Sequence, residues 1–175
     1  METEQSFTRV RLDRENCPGS VEIVAVAGAI ALGSWVKIYL PFSPVPFTLQ
    51  TFAVLVAALA LSRRRATAGI LLYAALGLAG APLFAGVAFG PTFGYIAGFA
   101  LAPFVVNGTR KPLVSIIAAT AIIYVCGISW LMSWGHLPLS KAIAVGVVPF
   151  IAGDALKAVA AYGVARWLRR SEPEA

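Results

Sequence analysis

Charge is what this sequence has least of. Only 13% of its 175 residues are Asp, Glu, Lys or Arg, while 59% are hydrophobic. Soluble domains carry about 25% charged and about 45–50% apolar residues. A water-soluble globule is therefore excluded, and the chain reads as an integral membrane protein. Histidine occurs once and cysteine twice. That leaves no Ser/His/Asp set, no H-E-x-x-H stretch and no cluster of metal ligands. Cys17 lies in a polar tail and Cys126 in an apolar run, so neither a disulfide framework nor a metal spacing follows. There is no G-x4-G-K-[ST] phosphate loop to hold ATP, and no duplicated half of the kind seen in two-repeat transporters. An enzyme is not expected, nor a cofactor. At about 20 residues per crossing, the chain is expected to hold roughly five to seven helices and no appended ATPase domain.

The few charges that are present are placed with order. Residues 1–20 are densely charged and balanced in sign, unlike a cleavable signal peptide, and are expected to form a cytoplasmic tail. Apolar runs then extend over 21–40 and, after the Pro-rich PFSPVP at 41–46, to Leu61, stopping at Arg63-Arg64-Arg65. From Ala66 to Thr109 there is no charge, and Gly80, Pro82, Gly86, Gly90 and Pro91 divide this stretch into two helices around a loop. A fifth run covers 113–134 and a sixth 139–168. The expected fold class is all-α: a six-helix transmembrane bundle over 21–168 with a short cytoplasmic tail at 169–175. With the N-terminus inside, Arg9, Arg11, Arg14, Arg63, Arg64, Arg65, Arg110, Lys111, Arg166, Arg169 and Arg170 all fall on the cytoplasmic side. This pattern accounts for the formal charge of +6 without nucleic acid. Trp130, Trp134 and Trp167 fall at helix ends, where aromatic belts form.

Two ionisable residues do not fit that orientation pattern. Asp154 and Lys157 sit well inside the sixth run, where a charge costs about 2.5–3.5 kcal/mol on insertion scales. At i, i+3 they share one helix face with Phe150 and Ala161. They form either a self-neutralising pair or the polar floor of a solute site, offering one cation and one acceptor. Pro149, one turn earlier, removes a backbone donor and is expected to free a carbonyl toward the same place. Gln50 in the second run is either a pocket group or an interhelical hydrogen bond. Lys37 is expected to snorkel to the interface, and His136 to be an exposed turn residue. The connection GAPLFAGVAFGPTFGY (80–95) is long, uncharged and rich in glycine and aromatics. Irregular backbone at membrane depth is tolerated where it lines a cavity or is buried in protein, so this loop is a second candidate wall. On the first helix, Ala25-x3-Ala29 and Ala27-x3-Ala31 make faces on which another helix can pack closely.

Four stretches together resemble the BioY family, the biotin-specific S-components of energy-coupling-factor (ECF) importers. They are VKIYLPFSPVPFTLQTF (36–52), LGLAGAPLFAG (76–86), FGPTFGYIAGF (89–99) and Asp154-x-x-Lys157. The resemblance implies a six-helix protein of the bacterial inner membrane, with both termini cytoplasmic. It would capture biotin from the outer side and release it inward, driven by a separate transmembrane coupling protein and ATPase subunits. It implies substrate contacts from Asp154, Lys157, Gly90, Thr92, Gly94, Tyr95, Phe89 and Gln50. On charge, the biotin ureido N–H groups would meet Asp154 and the valerate carboxylate Lys157. The coupling-protein contact would be Ala25, Ala29, Ala27 and Ala31. Phe93 departs from the family pattern, in which a glycine often follows the Thr. An S-component for another vitamin and a membrane scaffold without a solute are the alternative readings.

Overall fold

A computed structural model describes residues 19–107 and 112–170. The tail with Arg9, Arg11, Arg14 and Cys17, the Arg110-Lys111 connection and the segment after Arg170 lie outside the described residues. Helix α1 (Ser20–Trp35) ends where Val36 turns extended, leading into strand β1 (Lys37–Ile38). Strand β2 (Phe47–Thr48) returns antiparallel, pairing Lys37 with Thr48 and Ile38 with Phe47. This short hairpin is an addition to an otherwise helical fold. It stays short because Pro41, Pro44 and Pro46 between its strands remove backbone donors.

Helices α2 (Gln50–Ala60) and α3 (Arg63–Leu78) follow. After the loop at 79–92 come α4 (Phe93–Asn107) and α5 (Pro112–Gly135), the latter with proline at its first position. The turn after α5 is closed by His136, exposed and at φ 49°, with Leu137 N–H donating to the Met132 carbonyl at 3.1 Å. That is the left-handed residue common just beyond a helix C-terminus.

The expected sixth helix over 139–168 is not continuous. It is α6 (Leu139–Gly146), a 3-10 turn at Val148–Phe150, and α7 (Ile151–Arg170). Pro149 is the cause: it lacks an N–H and crowds the carbonyl four residues back, that of Val145. The freed Val145 carbonyl accepts a hydrogen bond from Ser43 Oγ at 2.7 Å, and the next one, Gly146, accepts from Tyr95 Oη at 2.8 Å. The carbonyl expected to open toward a ligand is thus used to tie the hairpin loop to the broken helix.

Small residues set the helix pairing. Helix α4 lies along α5, and side chains at Gly94 or Gly98 would collide with Cys126 O (2.5 Å) or Ile123 Cα (2.7 Å). Helix α1 lies along α3, with Gly69 admitting the Val26 side chain. Helix α7 packs mainly on α2, through a narrow buried stripe of Asp154, Lys157, Ala161 and Ala165 that Phe150 extends upstream.

At one end of the bundle, Glu22 pairs with Arg65 at 2.7 Å and Arg63 sits over the Phe104 ring. The hairpin and the 79–92 loop meet at the other. There Ser34 Oγ, Trp35 Nε1, Lys37 Nζ and Tyr39 Oη donate to carbonyls of Leu83, Pro82 and Ala85. Irregular backbone is satisfied within the protein in this way. Lys37 therefore staples two loops instead of simply snorkelling.

The surface of the molecule is far more apolar than that of a soluble domain, over a core that is apolar too. Leu113, Ile117, Leu156 and Val159 are exposed on helix faces, whereas Gln50, Asp154 and Lys157 are buried. Such continuous apolar faces need a partner or lipid. Two stretches, Pro112–Gly135 and Leu139–Arg169, are long and apolar enough to cross a membrane.

Candidate ligand-binding site

The centre of the site is a carboxylate with both oxygens engaged. Lys157 Nζ donates to Asp154 Oδ1 at 2.6 Å, one turn along the same face of α7. Tyr124 Oη, reaching over from α5, donates to Asp154 Oδ2 at 2.6 Å. Each charged residue is only 6% exposed. Burial at that depth is tolerated because each charge is paired and hydrogen-bonded. Lys157 Nζ also lies 3.6 Å from the centroid of the Phe47 ring, close enough for an attractive cation–π contact. Phe47 in turn stacks on Phe150 at 6.3 Å, with the rings 7° from parallel. The hairpin thus lays an aromatic cover over the ammonium, and Gly153 leaves the space for that ring: a Cβ there would meet Phe47.

A cavity opens beside this centre between the hairpin, α2, α4, α5 and α7. Thr48, Gln50, Thr51, Thr92, Tyr95 and Tyr124 supply polar groups to its wall. Its apolar wall includes Val45, Ile96, Phe99 and Ile123. Polar groups that converge opposite an apolar wall suit a small-molecule site.

Of the residues expected at a ligand, Asp154, Lys157, Gln50, Thr92 and Tyr95 come together on this wall. Gln50 stands at the cavity and also bridges two helices. Its Nε2 donates to Tyr73 Oη at 2.5 Å while its Oε1 accepts from Thr48 Oγ1 at 3.2 Å. Gly90, Gly94 and Phe89 stand outside the wall. The Gly90 carbonyl accepts from Trp130 Nε1 at 2.9 Å, and Gly94 lets α4 approach α5. Phe89 is 62% exposed and rests on Phe93, which rests on Trp130. Trp130, expected in an aromatic belt, is thereby a clamp on the loop preceding α4.

The partner face on α1 also needs correction. Ala27 and Ala31 are buried inside the bundle, whereas Ala25 and Ala29 are exposed. The two spacings point in different directions, about 200° apart for a two-residue offset at 3.6 residues per turn.

Tyr124 and Phe47 were not foreseen. The first carried a signal: a phenol in the middle of an apolar run needs a hydrogen-bond partner when buried. Phe47 carried none, since its place over Lys157 depends on the hairpin register.

The BioY family model matches residues 9–174. Over 158 residues the chain is 39% identical to a biotin transporter BioY of Thermotoga maritima, covering 83% of this chain and 92% of that one. It is 37% identical over 158 residues to a probable biotin transporter BioY of Pyrococcus horikoshii, covering 85% and 96%. A crystal structure of the S-component for biotin from an ECF-type ABC transporter aligns over 86% of this chain and 89% of that one. Its TM-score is 0.76 at 23% identity, a likeness of fold. With a family match over nearly the whole chain and relatives above 30% identity along almost their full length, this protein belongs to the BioY family.

Proposed function

We propose that this chain is the biotin-capturing membrane subunit of an ECF-type importer. It takes biotin from the outer side and releases it to the cytoplasm when a separate coupling protein and ATPase subunits drive the cycle. The observation that carries the reading is the buried Asp154–Lys157–Tyr124 centre at the edge of a cavity, in a chain of this family. In this reading α1, α2, α3, α4, α5 and the broken α6–α7 unit make six crossings of the bacterial inner membrane. Arg63, Arg64, Arg65, Arg166 and Arg169 then lie on the cytoplasmic side with both termini. The exposed small residues Ala25 and Ala29 are the contact for the coupling protein. The chain performs no catalysis and needs no cofactor of its own.

The short Asp154–Lys157 distance supports a different orientation of biotin from the one charge alone suggests. Asp154 and Lys157 touch at 2.6 Å, whereas the ureido ring and the carboxylate of biotin are separated by a bicycle and a valerate chain. One end only fits the pair. A urea places a carbonyl acceptor beside an N–H donor, which matches a lysine donor beside a carboxylate acceptor. A carboxylate at the same point would face Asp154 as a like charge. The ureido head therefore binds the pair and the valerate runs along the apolar wall. Gln50, Thr92 and Tyr95 complete the contacts, and Gly90, Gly94 and Phe89 act through the shape of the loop that caps the site. Equilibrium binding of radiolabelled biotin to detergent-purified protein tests the reading. Submicromolar affinity is the expected result, and micromolar or weaker binding overturns it.

A further inference from the structure

The two charged groups supply one donor and one acceptor, and a third polar group stands against them with a proton to give. Tyr124 sits on α5, and its hydroxyl reaches Asp154 on α7, a helix that packs mainly along α2. The hydrogen bond therefore links two elements that flank the cavity, and both residues line it. A phenol has a single proton, so Tyr124 can serve Asp154 or a ligand acceptor, but not both at once. In this structure that proton is given to Asp154 Oδ2, while Oδ1 is held by Lys157.

We propose that Tyr124 is a specificity residue for the ureido group: its hydroxyl rests on Asp154 until substrate arrives, then donates to the ureido carbonyl. The inference rests on the reading of biotin capture and extends it to one hydroxyl. The exchange follows from the shape of a urea. A ureido N–H that takes over Asp154 Oδ2 carries its carbonyl oxygen on the neighbouring atom, next to the displaced hydroxyl. The oxygen then accepts from Tyr124 and Lys157 together, and the N–H donates to Asp154. None of the groups in this exchange is left unpaired in either state, so the swap is cheap for a urea. A ring with N–H groups but no oxygen acceptor leaves the tyrosine proton unmet. Tyr95 gives the contrast within the same cavity: its hydroxyl is committed to the Gly146 carbonyl at 2.8 Å and holds the broken helix in place.

The test is equilibrium binding of biotin and of 2-thiobiotin, in which sulfur replaces the ureido oxygen, to purified wild type, Tyr124→Phe and Tyr95→Phe. Tyr124→Phe removes one bond from the free site and one from the bound site, so the readout is the preference for biotin over 2-thiobiotin, expected to fall about fivefold or more relative to the wild type. That preference shrinks because only biotin presents the hydroxyl with a strong oxygen acceptor. Tyr95→Phe is expected to weaken both ligands by the same factor. Equal losses for both ligands in Tyr124→Phe overturn the proposal, since a merely structural hydroxyl does not distinguish them. Equal affinity of the wild type for biotin and 2-thiobiotin overturns it without any variant. A wild type that does not bind biotin overturns the reading of biotin capture itself, an outcome seen before any variant is made.

Discussion

Two ion pairs of nearly equal length do opposite work in this molecule. Glu22 and Arg65 meet at 2.7 Å between α1 and α3 at the arginine-rich end, with the Glu22 side chain still 32% exposed. Asp154 and Lys157 meet at 2.6 Å within α7, both side chains under 10% exposed, beside the cavity. The first joins two elements and helps decide how they pack. The second joins two residues of one helix, which a helix does not need, and it costs desolvation of two charges. Among the described residues it reaches other elements only through Tyr124 and Phe47, and in the proposed function it is there for the ligand.

That contrast can be broken by experiment. Replacing the α7 pair and the phenol that donates to it, Asp154→Leu with Lys157→Met and Tyr124→Phe, is expected to lower biotin affinity more than a hundredfold. Thermal stability should stay the same or rise, as in other buried pairs exchanged for hydrophobic groups. A large fall in Tm would make the pair structural and erase the distinction. Gly153→Ala acts on the same centre from behind, because the added Cβ meets the Phe47 ring that covers Lys157. A cation–π contact is worth roughly 0.5–2 kcal/mol, so biotin affinity should drop by about thirtyfold at most. A titration of the variant reads this directly, and unchanged affinity would remove Phe47 from the site. Glu22→Gln at the other pair is expected to cost about 1 kcal/mol of stability. It should lower Tm by a few degrees and leave biotin affinity at the wild-type value. A loss of affinity there would mean that the two ends of the bundle are coupled.

How much of this was legible beforehand differs by element. The apolar runs and their breaks marked helices α1 to α5 to within a few residues, because proline, glycine and charge interrupt hydrophobic sequence in recognisable ways. The Asp154–Lys157 pair was equally visible, since two charges inside an apolar run have few explanations. The hairpin at 37–48 was not. Its strands are two residues long and pair across a proline-rich loop, leaving no alternation to read. Pro149 was noticed, but the partner of the carbonyl it freed, Ser43, lies 102 positions away in the chain.

The sequence by itself determined the solvent of this protein, its helical runs and the residues whose charge needed a reason, because hydrophobicity and charge are properties of composition and order. Tertiary structure alone decided which of those residues meet. It set Tyr124 on Asp154, Phe47 over Lys157, and Ala27 and Ala31 inward while Ala25 and Ala29 face out. Each depends on helix rotation, strand register and close approach at glycine, and those are fixed by contacts between segments far apart in the chain.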